Sequence, residues 1–282
     1  MNAPRLTFNR EDARQAAIAC QRAYLQPSVR VGNAQAWFGW EIYNDSFWAP
    51  IGGPQTANPQ SLVIGIAGTD EFGDILQDAR VLNRIEVGNT GALVHRGFWA
   101  HWSTLRNELI AQLTRAVEPW PRPTRIVIAG HSLGAAALAI GLYRDAASLF
   151  PSATTVHNTA YLFGIPRVGN WRWASAFADF CPCPTFRVVN ANDVVARSPR
   201  SLVPGRWVDV AQEVYLDRHG RHHLTRPPDY FRDRLLGRLN DLGRLGPSGL
   251  GDHRISSYIE ALSLSAASSG GILAPTPTSP TS

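Results

Sequence analysis

The sequence contains no lysine and little sulfur, with three cysteines and one methionine among its 282 residues. All 27 basic residues are therefore arginine, and against 22 acidic residues they give a formal net charge of +5. Three cysteines do not form the paired framework of a disulfide-rich fold. Cys181 and Cys183 are separated by one proline and have no second pair with which to build a zinc site, so we expect them and Cys20 to be structural thiols.

Long hydrophobic runs are also missing. The first residues, Met1–Arg5, lack the apolar core of a secretory signal, and the most apolar stretch, Leu133–Tyr143, is far shorter than a membrane span. We therefore expect a protein that is cytoplasmic or is exported by a route that reads no N-terminal signal. The positive charge favours anionic surfaces such as phospholipid head groups, although an ordinary solvated surface explains it more simply.

The composition is that of a globular protein, with 44% hydrophobic and 17% charged residues. The chain length suits one large α/β domain, which we place at residues 1–264. Residues 265–282 have low complexity, and we expect them to form a disordered tail.

Short apolar runs alternate with helix-length segments through the middle of the chain. Four runs without polar alternation predict strands buried on both faces: Leu62–Ala67, Arg125–Ala129, Ala160–Phe163 and Phe186–Val189. The longer segments between them predict three helices: Gly97–Val117, Ser132–Leu149 and Gly169–Phe180. This order predicts an α/β fold in which helices cover both faces of a central, mostly parallel sheet.

The two ends of the chain carry further patterns. Glu11–Leu25 is amphipathic and predicts a helix capped by Asn9, and the aromatic run Ala36–Tyr43 predicts a strand. Weaker patterns predict two more strands and a final helix: Trp207–Val210, Glu213–Leu216 and Asp252–Leu264.

The sharpest local motif is Gly130-His131-Ser132-Leu133-Gly134, a G-x-S-x-G sequence. It follows a buried type of strand and precedes a helix of small residues, which is the setting of a nucleophile elbow. The two glycines relieve crowding on the strained turn that lifts the serine hydroxyl above the sheet. We therefore predict that Ser132 is a nucleophile, rather than a serine that merely caps a helix. On this type of fold an acid and then a histidine should follow along the chain.

Four stretches, taken with this motif, resemble the class 3 lipases, the fungal-type triacylglycerol lipases and their bacterial relatives, and we expect a bacterial member. The stretches are Gly65-Ile66-Ala67-Gly68-Thr69-Asp70, Val94-His95-Arg96-Gly97-Phe98, Phe163-Gly164-Ile165-Pro166-Arg167-Val168-Gly169-Asn170 and Arg187-Val188-Val189-Asn190-Ala191-Asn192-Asp193-Val194-Val195. Three features depart from the family pattern: Ala67 stands at a usual arginine, Ala196 stands at a usual proline, and the spacing from His253 to the next tyrosine is longer. The resemblance implies an α/β-hydrolase fold and lipid ester hydrolysis without a metal or cofactor.

Asp193 is the predicted acid, because it follows an apolar strand at the edge where such folds place catalytic groups and because it matches the family motif. Asp209 and Asp217 are the alternatives. His253 is the predicted base, since it stands alone after a glycine-rich turn. The other downstream histidines lie in a polar, arginine-rich stretch and lack the partners of a metal site: His219, His222 and His223.

The oxyanion of an acyl-transfer intermediate needs two hydrogen-bond donors. The amide of Leu133, the residue after the nucleophile, is one. The resemblance implies Thr69 as the other, although an ordinary turn threonine fits the same position. Trp99 and Trp102 line an acyl groove or belong to the helix core, which is the commoner case.

The resemblance also implies a lid after Thr69. Phe72, Ile75 and Leu76 lie at helical spacing and would cover the serine, but a fixed surface helix explains them equally well. The sequence thus predicts a serine ester hydrolase resembling a triacylglycerol lipase, with lipid or small esters as substrates and transient contact with a lipid interface. It implies no nucleic acid and no protein partner. A phospholipase, a short-chain carboxylesterase and a non-catalytic binding protein on the same fold remain alternatives.

Overall fold

The structure is a computed structural model that describes residues 7–42, 46–48, 61–69, 84–88, 90–118, 125–150, 158–199, 205–227, 230 and 250–264. All statements below concern these residues. The predicted lid residues Phe72, Ile75 and Leu76 lie outside them, as do the C-terminal residues 265–282.

The described strands, in chain order, are β1 (Val29–Val31), β2 (Ala34–Ile42), β3 (Ser46–Trp48), β4 (Ser61–Ile66), β5 (Arg84–Glu86), β6 (Leu93–His95), β7 (Ile126–His131), β8 (Thr159–Phe163), β9 (Thr185–Asn190), β10 (Gln212–Leu216) and β11 (His222–His223). The described helices are α1 (Arg10–Leu25), α2 (Arg96–Val117), α3 (Leu133–Arg144), α4 (Ala146–Leu149), α5 (Trp171–Phe180), α6 (Leu250–His253) and α7 (Ile255–Ser263), and a 3-10 turn spans Val195–Arg197. None of these helices is both long and apolar enough to span a membrane.

Nine of the strands form one sheet in the order β1-β2-β4-β7-β8-β9-β10-β11, with β3 paired to β2. The five strands from β4 to β10 in this order run parallel. At the two ends of the sheet, β2 and β11 pair antiparallel to β4 and β10, and β1 and β3 pair antiparallel to β2. The carboxyl ends of the parallel strands therefore meet at one edge of the sheet, which is where ligands bind in such folds.

Side chains of β4 alternate between two cores, as the pleat of a strand requires. Leu62, Ile64 and Ile66 join the cluster that contains α2, α3 and α5, whereas Val63 joins the cluster that contains α1 and α7. Helices therefore cover both faces of the sheet, and the predicted α/β architecture is confirmed.

Helix α1 packs unusually close to the sheet because its inner face is built from alanines. A side chain at Gly65 of β4 would meet the backbone carbonyl carbon of Ala19 at 2.2 Å, so the helix and the strand touch through their backbones. The Asn9 side chain accepts a hydrogen bond from the amide of Asp12 and begins the helix, as predicted. This packing sets the position of Tyr24, in the last turn of the helix.

Three predicted elements differ from the structure. Trp207–Val210 is not a strand, because the described bridge between Val208 and Gly169 is isolated and lies outside the strands. The helix predicted from Ser132 to Leu149 is divided at Asp145 into α3 and α4. The final helix is divided at Arg254, whose extended backbone (φ −62°, ψ 136°) separates α6 from α7.

Candidate active site

Ser132 lies in the sharp turn between β7 and α3, with the backbone at φ 58° and ψ −122°. This conformation costs a residue with a side chain about 1–3 kcal/mol, so the surroundings must enforce it. The flanking glycines leave room for the turn, since a Cβ at Gly130 would lie 2.6 Å from Cα of Ala135 and a Cβ at Gly134 would lie 2.4 Å from the carbonyl oxygen of Ala67. The motif therefore folds as the strand-turn-helix that the sequence predicts.

Three predicted residues from distant parts of the chain meet at this turn. The Ser132 hydroxyl lies 2.9 Å from Nε2 of His253, and Nδ1 of His253 lies 2.9 Å from Oδ2 of Asp193. A carboxylate accepts hydrogen bonds, so it favours the tautomer with the proton on Nδ1 and leaves Nε2 free to accept the serine proton. The arrangement matches a Ser-His-Asp triad in both contacts and chain order.

Asp193 is completely buried, and its two oxygens have different partners. Oδ1 accepts the amide protons of Val195 and Ala196, which fix the loop after β9. Oδ2 faces His253. Burial alone would raise the pKa of this carboxyl, but the charge and hydrogen bond of His253, with further hydrogen bonds from neighbouring groups, lower it below the ordinary value. Asp193 is therefore ionised at neutral pH.

Tyr258 supplies a further donor to the acid. Its hydroxyl donates to Oδ2 of Asp193 at 2.5 Å, and its ring is fully buried. The break at Arg254 begins α7 anew, and Tyr258 then lies in the first turns of that helix. The break at Arg254 lies within the long spacing between His253 and Tyr258. The sequence shows this spacing but does not predict a role for Tyr258.

His131 lies beneath the elbow and joins three parts of the site. Its Nε2 lies 2.7 Å from the carbonyl oxygen of His253, and its Nδ1 lies 2.7 Å from the Tyr24 hydroxyl. Because a carbonyl oxygen only accepts, Nε2 donates to it, and Nδ1 accepts the tyrosine proton. The amide of Gly68 in turn donates to the Tyr24 oxygen at 2.8 Å. One hydrogen-bonded chain thus links the loop after β4, helix α1, the elbow and the backbone of His253.

The charge state of His131 follows from its surroundings. Complete burial, and then the charge of His253, lower its pKa to about 3. The ring is therefore neutral at neutral pH, as the hydrogen-bond pattern requires. No sequence motif predicts that His131 binds the backbone of His253, because the two residues are far apart in the chain.

The predicted oxyanion donors lie beside the serine. Leu133 is the first residue of α3, so its amide has no acceptor within the helix. Across from it, a Cβ at Gly68 would lie 2.9 Å from Cβ of Ser132, which shows how closely the loop after β4 approaches the nucleophile. The hydroxyl of Thr69 in this loop is buried and has no hydrogen-bond partner in the described part of the chain. Leu133 and Thr69 therefore lie where their donor groups can form hydrogen bonds to a substrate oxygen.

Two clefts flank the nucleophile and share the turn Gly32–Asn33. The larger, of about 810 Å³, contains Ser132 and His253 on its floor. The smaller, of about 470 Å³, reaches Leu133 and the start of α2. Trp99 and Trp102 line neither cleft, and Trp102 is fully buried with its indole N–H donating to Asp145, so it belongs to the helix core.

The alternative acids and histidines have other partners. Asp209 pairs with Arg167 and Arg187, and Asp217 pairs with Arg221 and His223. His219 and His222 belong to this hairpin, where the amide of His219 donates to Asp217 and the His222 ring contacts Phe8 at a tilted angle. No cluster of three histidine, cysteine, aspartate or glutamate residues in the described ranges is arranged to hold a metal ion.

Comparison with known proteins shows which family part of the chain is similar to. Residues 63–202 match the model of the family described as lipase (class 3). They span the loop of Thr69, the elbow and Asp193, whereas His253 lies beyond the matched region.

Two known proteins are similar to part of the chain. It is 29% identical over 169 residues to phospholipase A1-II 7 of Oryza sativa subsp. indica, covering 53% of this chain and 40% of that protein. It is 31% identical over 128 residues to secreted mono- and diacylglycerol lipase A of Penicillium cyclopium, covering 45% of this chain and 38% of that protein. The chain thus spans well under half the length of these relatives.

Solved lipase structures share the fold. A triacylglycerol lipase from Penicillium expansum superimposes with a TM-score of 0.52 at 18% identity, covering 73% of this chain and 78% of that one. The triacylglyceride lipase of Rhizomucor miehei gives a TM-score of 0.51 at 20% identity, covering 73% and 79%. The prediction of an α/β-hydrolase fold is confirmed by these similarities.

Proposed function

We propose that this chain is a serine ester hydrolase that cleaves carboxylic esters of lipids, like the triacylglycerol lipases. The observation that carries the proposal is the hydrogen-bonded chain from Ser132 through His253 to the buried Asp193, with 2.9 Å at each step. The class 3 lipase match of residues 63–202 supports the same chemistry. The relatives named above are plant and fungal, so a bacterial origin stays a prediction.

The reaction proceeds through a covalent acyl-enzyme. Nε2 of His253 takes the proton of the Ser132 hydroxyl while Oγ bonds to the ester carbonyl carbon. The carbonyl oxygen becomes an oxyanion, which the Leu133 amide and Thr69 stabilise. The bond to the alcohol oxygen then breaks, and His253 returns the proton to that oxygen. Asp193 holds the imidazole tautomer and stabilises its charge throughout.

Water completes the turnover. His253 takes a proton from a water molecule while the water oxygen bonds to the acyl carbon. The bond between the acyl carbon and Oγ of Ser132 then breaks, His253 returns its proton to Oγ, and the carboxylic acid leaves. The buried partners of Asp193 and the neutral His131 hold this geometry. No step uses a metal or a cofactor.

Substitution of the nucleophile tests the proposal. Hydrolysis of a soluble nitrophenyl ester should fall roughly a millionfold in Ser132→Ala, because the covalent step disappears. Ser148→Ala is the matched control, since Ser148 is exposed in α4, away from the site. Equal hydrolysis by the two variants would contradict the assignment of Ser132 as the nucleophile, and absence of hydrolysis by the unsubstituted chain would favour a binding protein on a hydrolase fold.

A phospholipase is the second candidate, because one relative carries that name at 29% identity and because arginines line the larger cleft. Rates on triacylglycerol emulsions, on phospholipid vesicles and on short-chain esters separate the candidates. A rate on triacylglycerol that rises above the solubility limit supports the lipase, and hydrolysis confined to soluble short-chain esters supports the carboxylesterase.

A further inference from the structure

His253 is carried by a very short helix, so its position must be fixed from outside that helix. Helix α6 spans only the four residues Leu250–His253, and the extended backbone of Arg254 ends it. A helix of this length leaves most of its own backbone groups without partners and is not stable by itself. The imidazole must nevertheless lie within hydrogen-bond distance of both Ser132 and Asp193, at 2.9 Å each. Contacts with the rest of the fold must therefore hold the backbone that carries it.

Asp252, the residue before the base, forms two such contacts, and both lead to the loop that carries the acid. We call residues 190–193, from the last residue of β9 to Asp193, the acid loop. Oδ2 of Asp252 accepts the backbone amide proton of Asn192 at 3.0 Å. The carbonyl oxygen of Asp252 accepts from the side-chain Nδ2 of Asn190 at 3.1 Å. Because both asparagines are buried, water competes little for these hydrogen bonds. Asp252 thus joins the segment of the base directly to the acid loop.

The same segment is also tied to the elbow. The carbonyl oxygen of His253 accepts from Nε2 of His131, the residue before Ser132. The backbone of the base is therefore fixed relative to both groups that its imidazole must reach. The bond from His131 holds it near the serine, and the two bonds at Asp252 hold it near the acid loop.

The side chain of Asp252 is the part of this arrangement that a substitution removes. The bond from the Asn192 amide needs an acceptor oxygen in that side chain. Without it, a buried amide would lose its partner, and the acid loop would be free to move away from α6. We propose that Asp252 is a positioning residue, which holds the acid loop against α6 and so keeps His253 within hydrogen-bond distance of Asp193. This role rests on the proposed function.

Two substitutions separate the position of this side chain from its charge. Asp252→Ala removes the acceptor for the Asn192 amide, whereas Asp252→Asn keeps an acceptor oxygen and removes only the charge. We expect kcat on a soluble ester to fall by roughly thirtyfold in Asp252→Ala with KM little changed, because a misplacement of about 1 Å costs about a hundredfold and this one should be smaller. In Asp252→Asn the loss should stay within about threefold, since a neutral oxygen accepts a weaker hydrogen bond than a carboxylate.

Proton NMR of the protein without substrate gives a readout that does not depend on turnover. The proton on Nδ1 of His253 lies in a charge-assisted hydrogen bond to Asp193 and should resonate far downfield of the backbone amides. We expect this resonance in the unsubstituted chain and in Asp252→Asn. In Asp252→Ala it should move upfield or vanish, because the bond to Asp193 lengthens and the proton exchanges with water.

Asp179→Ala is the matched control. It removes an exposed carboxylate from the last turn of α5, which leads to the amino end of β9 rather than to the acid loop. This variant should keep the kcat and the downfield resonance of the unsubstituted chain. Urea unfolding gives the folded fraction of each variant, so that kcat is expressed per folded chain.

Three results would overturn the positioning role. The first is an Asp252→Ala protein whose kcat per folded chain and resonance are unchanged, since Asp252 would then only stabilise the fold. The second is an Asp252→Asn protein as impaired as Asp252→Ala, since the charge would then be responsible. The third is an equal loss in Asp179→Ala. Absence of hydrolysis by the unsubstituted chain, with a resonance that still responds to Asp252→Ala, would instead contradict the proposed function alone.

Discussion

Gly164, the residue after β8, lies directly behind the pair formed by Asp193 and His253. Its φ is +57°, and a Cβ there would lie 2.8 Å from Oδ2 of Asp193 and 2.9 Å from Nδ1 of His253. Both the backbone angle and the missing space exclude a side chain at this position. Glycine at position 164 thus leaves room for the hydrogen bond between Asp193 and His253.

Gly164→Ala should therefore push the acid and the base apart. We expect kcat on a soluble ester to fall by roughly a hundredfold, the cost of a small misplacement of catalytic groups, with KM little changed. Gly88→Ala is the control, because Gly88 has a similar φ of +67° but nothing within 4 Å of the added carbon. If the two variants had equal kcat, the packing of Gly164 against the site would not matter.

The buried His131 makes a second prediction, on stability. Its pKa of about 3 in the folded protein lies below the ordinary value of 6.5. The unfolded chain therefore binds the proton first, and the free energy of unfolding falls as the pH drops from 6.5 toward 3, by about 1 kcal/mol per pH unit. Chemical denaturation at several pH values should show a shallower dependence in His131→Gln.

The comparison that isolates this effect is His101→Gln. His101 is half-buried, and the loss of hydration lowers its pKa to about 4, but it lines the smaller cleft and does not lie beneath the elbow. His101→Gln should flatten the pH dependence of the free energy of unfolding over a similar range. Unlike His131→Gln, it should not slow ester hydrolysis. A pH dependence unchanged in His131→Gln would contradict the neutral, buried state of the ring.

The sequence predicts the residues that carry local signals. Ser132 has a motif and a setting, Asp193 follows a buried strand, and His253 stands alone after glycines, and the structure brings these three together. Tyr24 and Tyr258 carry no such signal. Their roles depend on contacts between helices at the two ends of the chain, which no local pattern encodes.

At the level of elements, Asn170 fastens α5 to the strand before α2. Its side-chain oxygen accepts from the amides of Trp173 and Leu93, and its side-chain nitrogen donates to the carbonyl oxygen of Gly91. One residue thus caps a helix and holds a second segment. This arrangement gives Asn170 a structural role in holding α5 against the segment before α2.

Substitution should separate these two functions. Asn170→Ala loses all three hydrogen bonds and should destabilise the fold by about 2–4 kcal/mol. Asn170→Asp keeps the two accepted bonds and should cost less. Asn9→Ala removes a single capping bond from α1 and should cost about 1 kcal/mol. Urea unfolding of the three variants gives the order, and equal losses for Asn9→Ala and Asn170→Ala would contradict the account.

The sequence predicts the boundaries of elements well where burial determines them. It predicts them poorly where pairing between distant strands determines them. The four apolar runs became parallel strands because both faces of each are covered. Trp207–Val210 failed because the edge of the sheet beside β9 is already occupied by β10, which pairs with β11 in turn. The break at Arg254 was missed because both sides of it have helical periodicity. The lid stays a prediction, since Phe72, Ile75 and Leu76 lie outside the described residues.

At the scale of the whole molecule, the site is assembled from segments that are far apart in sequence. The serine follows β7, the acid follows β9, and the histidine comes from the last helices. The cleft beside Ser132 forms only when these segments meet, so it could not be predicted from the sequence. The assignment of residues 1–264 to one domain stays a prediction.

The reactivity of Ser132 should therefore exist only in the folded chain. A serine hydroxyl without its base is a weak nucleophile, and unfolding separates Ser132 from His253. The measurement that tests this most directly is labelling with a fluorophosphonate probe, followed by mass spectrometry of the digested protein. We predict one adduct per native chain, on the peptide that contains Ser132, and none after unfolding in urea. Labelling at another residue, or equal labelling of the unfolded chain, would contradict the proposed mechanism.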